Sequence, residues 1–214
     1  MRGADVLEVG SLDINGSVRT AVEARHPRSY LGVDIEMGPS VDEICNVYDL
    51  EKRFGTSAYD LVICTEVVEH VRDWHSALTN ITAVLRPGGT LFLTTRSYGF
   101  PIHGYPNDYW RYEPADLRQI FASFDDVLIE PDPAEPGVFV RAKRPNLSSS
   151  VSIPSIELYS MLKERRVAGV RRRDELVFQL RSLVLKHGPW LRGPYRLLFR
   201  RSSKPLAERP RVKP

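Results

Sequence analysis

The run Glu8-Val-Gly10-Ser-Leu-Asp13-Ile-Asn-Gly16-Ser17 follows a short apolar stretch, Ala4–Val9, and is the first place in the chain where residue types suggest a binding loop. Glycine at position 10 lets the backbone turn sharply and approach a ligand closely, although a glycine after a first strand is often only a turn. Asp34 closes a second apolar run, Tyr30–Asp34, 24 residues after Gly10. A carboxylate in that place can accept both hydroxyls of a ribose, as it does in dinucleotide folds. The alternative is a solvated acid at a strand end. Two other nucleotide chemistries find no foothold. Leu12 stands where the second glycine of G-x-G-x-x-G would be, which argues against NAD, and no Walker-type loop is present. No metal site is expected either. Cys45 and Cys64 lack ligand spacing, and His70 and His75, five apart, do not share a helix face.

The elements that would carry these residues alternate. Ala4–Val9 reads as a buried strand, followed by a helix from about Ser17, a strand at Tyr30–Asp34 and a third at Val41–Cys45. Tyr59–Cys64 is nearly continuous in apolar residues, as a parallel strand covered on both faces should be. Trp74, Leu78, Ile81 and Leu85 predict a helix over Asp73–Leu85, stopped by Arg86-Pro-Gly-Gly89. Thr90–Thr95 is a fifth strand, Pro114–Phe121 a helix with proline at its first position, and Val127–Glu130 with Gly137–Ala142 an antiparallel edge pair. Such alternation predicts an α/β protein with a doubly wound, mostly parallel, seven-stranded sheet. The domain would cover residues 1–143, a serine-rich linker 144–154, and a basic, largely helical extension 155–214, with Ile156–Lys186 as its helix.

The ordered set VLEVGSLDINGS, YLGVD, YDLVICTEVVEHV, LRPGGTLFLTT and HGYPNDYWRY resembles the class I S-adenosylmethionine-dependent methyltransferase superfamily, in particular bacterial small-molecule enzymes of the methyltransferase-11 type. It covers about residues 4–142. The resemblance implies a Rossmann-like fold and S-adenosyl-L-methionine as cofactor. It also implies roles for single residues: Glu8 and Gly10 on the methionine-carboxylate side, Asp34 on the ribose hydroxyls, Asp49 and Leu50 against adenine, and Thr65 and Glu66 along the methionine moiety. The family's common E/D-x-G-x-G-x-G loop is here E-x-G-x-x-x-x-x-G, and the chain begins almost at its first strand, without the helix that often caps the substrate pocket.

Methyl transfer asks the protein mainly for alignment, which can supply several kcal/mol. A hydroxyl acceptor also gains from a general base, worth about 10²–10⁴-fold. Two histidines are candidates: His70, just past the fourth strand, and His103, in the loop after the fifth, which should lie over the methyl group. The other reading of His70 is a residue that orders its loop. In that second loop Tyr105, Asp108, Tyr109 and Trp110 are candidate acceptor contacts, although Asp108, Tyr109, Trp110 and Arg111 more often lock such a loop by packing and an ion pair than touch substrate.

Charge divides the chain. Residues 141–214 hold 19 Lys and Arg against 5 Asp and Glu, and residues 1–140 hold 11 against 22. The interleaved basic and apolar tail could rest on an anionic membrane surface, track nucleic acid less readily, or simply solubilise the protein. The helix before it would dock on its own domain or in a homodimer. Without a membrane-spanning run, a signal peptide or a disulfide framework, the expected location is the cytoplasm, with peripheral membrane association open. The leading expectation is O-methylation of a small molecule, a saccharide or secondary metabolite. An RNA methyltransferase and a catalytically degenerate cofactor-binding or scaffold module stay open as alternatives.

Overall fold

The computed structural model describes residues 1–104, 107–146 and 151–186. Five strands, β1 (Asp5–Val9), β2 (Ser29–Asp34), β3 (Glu43–Ile44), β4 (Tyr59–Thr65) and β5 (Leu85–Arg96), run parallel. After a short strand β6 (Trp110–Arg111), β7 (Asp125–Pro131) and β8 (Gly137–Lys143) complete the sheet in the order β3-β2-β1-β4-β5-β8-β7. β8 lies antiparallel to both neighbours, which leaves β7 at the edge as the sequence predicts. The helices between the strands are α1 (Arg19–Glu23), α2 (Leu50–Phe54), α3 (Trp74–Ala83) and α4 (Pro114–Ile120). Val6, Leu7 and Val9 of β1 and Leu61 to Cys64 of β4 are all buried, because helices cover both faces of these central strands. Val6, Val22, Leu61 and Ile63 form one such layer, closed by Val18 and Tyr30.

The sequence places Arg86-Pro-Gly-Gly89 after a helix, as a turn. Instead α3 ends at Ala83 and these residues open β5, where the register with β4 slips between Tyr59 and Leu61. Gly88 has φ +75°, and a Cβ on Gly89 would stand 2.8 Å from the carbonyl oxygen of Arg86. The glycines therefore make a bulge within the strand. α3 is otherwise as expected: Asp73 caps it by accepting from the Ser76 N–H at 3.1 Å, and Trp74, Leu78 and Ile81 are buried.

A larger correction concerns residues 156–186, expected to be helical throughout. Leu158–Ser160 and Arg165–Val167 form a hairpin, β9 and β10, whose first strand pairs with β6 in a second sheet. Leu158 and Ser160 are buried on either side of a half-buried Tyr159, a period of two. Arg166 reaches the buried carboxylate of Asp116 in the first turn of α4. The compact unit consequently runs from Met1 to Arg171, beyond the boundary expected at residue 143. Helix α5 (Arg172–Lys186) opens the second unit, and on it Leu176, Leu180 and Leu183 are exposed. No helix among the described residues is long and apolar enough to cross a membrane.

The hairpin fixes where the chain can be cut. Leu158, Leu162 and Val167 are buried, and each such side chain contributes about 1.5–3 kcal/mol. Losing Arg166 would also leave Asp116 buried without its partner, a further cost. A chain ending at Arg171 should melt like the full protein. One ending at Pro145 should melt about 10 °C lower or fail to fold, since each kcal/mol moves a domain of this size by about 2–4 °C. Circular dichroism melts check this, and equal melting temperatures for the two cuts would refute the hairpin's role.

Candidate functional site

Strand order reverses between β1 and β4, and the candidate residues gather at the carboxyl ends of the strands beside that point, where open sheets bind ligands. Gly10 has φ +78°, and a Cβ added there would lie 2.1 Å from Val67 Cγ2. Only glycine lets the loop after β1 lie against the turn after β4. The loop is then pinned to β2. The Gly10 and Ser11 N–H groups donate to the Val33 carbonyl at 2.9 and 3.1 Å. Leu12 N–H donates to Asp34 Oδ2 at 3.1 Å, and Glu36 N–H to Oδ1 at 3.3 Å. These donors orient the Asp34 carboxylate while leaving each oxygen with acceptor capacity. Ser11 Oγ is buried without a hydrogen-bond partner, so the loop keeps polar capacity for a ligand.

The other cofactor candidates differ in what they can offer. Glu8 is 2% exposed, bonded by the Tyr30 hydroxyl, and burial pushes its carboxyl up despite that bond. The guanidinium of Arg19 lies 4.6 Å from the Tyr30 ring centre, sealing this pair. Asp49 ends a 3₁₀ turn (Val47–Asp49) and is exposed, whereas the Leu50 side chain is buried, leaving only its backbone to face a ligand. Thr65 ends β4. Glu66, with φ +56°, turns the chain sharply, donates its N–H to the Thr94 carbonyl at 3.1 Å, and accepts from Thr94 Oγ1 at 2.8 Å. Its carboxylate also pairs with Arg96. A left-handed glutamate held by so many partners is an imposed conformation of the kind that clusters at functional sites.

A second group forms where the 3₁₀ turn Val68–His70 meets the loop after β5. Glu69 is fully buried; Thr95 Oγ1 donates to its Oε2 at 3.0 Å, while Oε1 has no hydrogen-bond partner. Burial, then the neighbouring Glu66, pushes its carboxyl well above the usual range. His70 Nδ1 lies 2.7 Å from the Asn107 carbonyl. The ring of His103 stands edge-on to that of His70, centres 4.6 Å apart. Its Nδ1 is 3.3 Å from Asp108 Oδ2 and its Nε2 3.9 Å from Glu69 Oε1. Burial holds the His103 imidazole below its ordinary pKa, against the pull of Asp108, so the neutral ring is favoured. Gly104, φ +62°, lets the loop cross the His70 ring, since a Cβ there would lie 2.8 Å from Cε1.

The structure thus brings His70 and His103 together, 33 residues apart in sequence, and turns His75 away to the Ile153 carbonyl at 2.8 Å. Asp108, Tyr109 and Trp110 are buried and lock the loop instead of lining an acceptor surface. Trp110 donates its indole N–H to the Val71 carbonyl at 2.9 Å, and Asp108 binds the buried Arg111 through both oxygens, at 2.5 and 2.7 Å. Tyr105 lies outside the described residues. Glu69 and Val67 carry no assigned role in the sequence reading. The signal for Glu69 is an acid inside the otherwise apolar run EVVEHV.

Residues 2–125, more than half of the chain, match a family model described as a methyltransferase domain. The ubiquinone biosynthesis O-methyltransferase of Vibrio atlanticus is 31% identical over 117 residues, covering 48% of this chain and 49% of that protein. Its Coxiella burnetii counterpart is 25% identical over 119 residues, covering 49% of each. The chain spans about half the length of these curated relatives. Among solved structures, Burkholderia thailandensis 1,6-didemethyltoxoflavin-N1-methyltransferase, bound to 1,6-didemethyltoxoflavin and S-adenosylhomocysteine, superposes with a TM-score of 0.54 at 20% identity, covering 67% of this chain and 72% of that one. Phosphoethanolamine N-methyltransferase 2 of Haemonchus contortus, in complex with S-adenosyl-L-methionine, gives 0.54 at 16% identity over 68% of this chain and 50% of that one. At such identities these two establish the shared fold, and the domain match carries the rest. With its Rossmann-like sheet and its cofactor S-adenosylmethionine, the chain belongs to the class I methyltransferase-domain family.

Proposed function

We propose that the enzyme O-methylates a small molecule through a hydroxyl delivered to the Glu69–His70–His103 cluster. The observation that carries this reading is the pairing of a buried carboxylate with two imidazoles at the carboxyl ends of β4 and β5, beside the Gly10 loop. A hydroxyl must shed a proton as its oxygen takes the methyl, and this cluster is a set of groups suited to handle that proton. S-adenosylmethionine supplies the methyl on a sulfonium centre, whose sulfur keeps the bonding pair when the methyl leaves. The chain's residues bind, orient and deprotonate. In this reading Asp34 receives the ribose hydroxyls, Asp49 and the Leu50 backbone face adenine, and Gly10, Glu8, Thr65 and Glu66 border the methionine end. The named activity of the Vibrio and Coxiella relatives is O-methylation, which supports oxygen as the acceptor atom. A saccharide loses some of its appeal, because Trp110 and Tyr109, the rings that could have stacked on it, are buried.

Two outcomes follow. Asp34→Ala removes a charged acceptor, and hydrogen bonds to charged groups carry about 1.5–3 kcal/mol. S-adenosylmethionine affinity, measured by calorimetry, should therefore fall tenfold or more while the melting curve stays cooperative. Unchanged titrations would remove Asp34 from the site. His103→Ala should lower kcat by about 10²–10⁴-fold and leave cofactor affinity within about twofold, since it lies on the acceptor side. A labelled-methyl assay over hydroxylated acceptors reads it, and wild-type turnover in the variant would reduce His103 to a packing residue.

A further inference from the structure

Helix α5 leaves a stripe of large apolar side chains open to solvent. Leu176, Leu180 and Leu183 follow one another at i, i+4 and i+7, so they line one side of the helix. They are 60%, 58% and 50% exposed, and Val177 beside them is exposed as well. Soluble proteins seldom leave such a row in water, and an apolar patch rimmed by polar residues marks an interaction surface.

Charge selects what the stripe faces. Arg172 and Arg173 are exposed and precede Leu176 by four and three residues, which puts them on the stripe's own side of the helix. Asp174, two before Leu176, lies across the helix from it. Residues 172–214 together hold 12 Lys and Arg against 3 Asp and Glu. A second copy of the chain would bring that surplus of cations against itself, whichever way the two helices ran. A nucleic-acid backbone would take the cations and leave the leucines in water. An anionic bilayer answers both features, since its acyl boundary receives the leucines and its phosphates receive the arginines. At 15 residues α5 is too short to cross, and it suits the plane of the interface.

We propose that α5 is an interfacial membrane helix: its leucine stripe lies in the headgroup layer of an anionic bilayer, with Arg172 and Arg173 at the lipid phosphates. None of these residues belongs to the Gly10 loop or to the acid–histidine cluster, so membrane binding stands apart from the choice of acceptor. The two parts of the contact respond differently to salt. Each cation near an anionic surface strengthens binding by about fivefold, and this gain fades as the screening length falls from about 10 Å at 0.1 M to 3 Å at 1 M. Insertion of the leucines is apolar and is not screened in this way.

The test is flotation of the full chain with vesicles of phosphatidylcholine alone and of phosphatidylcholine mixed with phosphatidylglycerol, at low and high salt. At low salt the mixed vesicles should bind at least tenfold more tightly, and high salt should erase most of that difference. Leu176→Gln, Leu180→Gln and Leu183→Gln together should weaken binding to the mixed vesicles at least tenfold. Arg172→Gln with Arg173→Gln should do the same at low salt only. All five side chains are exposed, so circular dichroism and S-adenosylmethionine affinity should stay at wild-type values. If the leucine variant does not fold, the arginine variant across the two salt levels still decides. Failure of the wild type to bind the mixed vesicles, or wild-type binding by either variant, overturns the proposal. So does a wild-type dimer that the leucine substitutions dissolve, because the stripe would then face a second copy. Retention on RNA without vesicle binding overturns it too.

Discussion

Arg111 is the constraint on which the acceptor side of this protein depends. Its guanidinium is fully buried, yet each of its five N–H groups has an acceptor: both oxygens of Asp108 and the carbonyls of Phe100, Pro101 and Trp110. A buried charge is tolerated only when paired and hydrogen-bonded to this degree. The consequence is geometric. The backbone entering the loop at Phe100 and leaving it at Trp110 is tied to one planar group, and the Asp108 carboxylate faces His103 with its orientation fixed from behind. Asp108 Oδ2 also accepts the His103 backbone N–H at 2.9 Å, so the same acid anchors the loop at that residue. Lysine could not replace this planar fork of donors.

The cofactor side depends on a different kind of contact. Val67 stands so close to Gly10 that no side chain fits between them. The loop after β1 and the turn after β4 are thereby pressed together, and that same turn carries Glu66, Glu69 and His70. Alignment of two reactants is the largest contribution a protein can make to a transfer whose leaving group is already good. The rigidity is built from backbone hydrogen bonds, the Leu12 N–H on Asp34 and one steric contact.

Much of this was legible in the sequence, for reasons that can be named. Parallel strands buried on both faces read as unbroken apolar runs, so YLGVD and YDLVIC announced β2 and β4 and placed Asp34 and Thr65 at their ends. What stayed hidden depends on pairing at long range. Arg86-Pro-Gly-Gly89 has the composition of a turn, and only the slipped register against Tyr59 and Leu61 makes it the start of a strand. Leu158–Val167 is too short for a decisive period and becomes a hairpin because β6 offers it an edge. Tyr109 and Trp110 could be read as loop locks or as acceptor contacts; Val71, whose carbonyl receives the indole N–H, and the hairpin bury them as locks. His70 and His103 are unremarkable apart and meet only when β5 and its loop fold back.

The charges around the cluster bear on its chemistry. Arg96 answers Glu66, and Arg111 answers Asp108, so both pairs are locally neutral. Glu69 has no such counterion; Thr95 donates to one of its oxygens. Burial and the nearby Glu66 push its carboxyl up, while burial holds the His103 imidazole below its ordinary pKa. In the O-methylation reading the imidazole, not the acid, is therefore the group suited to take the acceptor's proton.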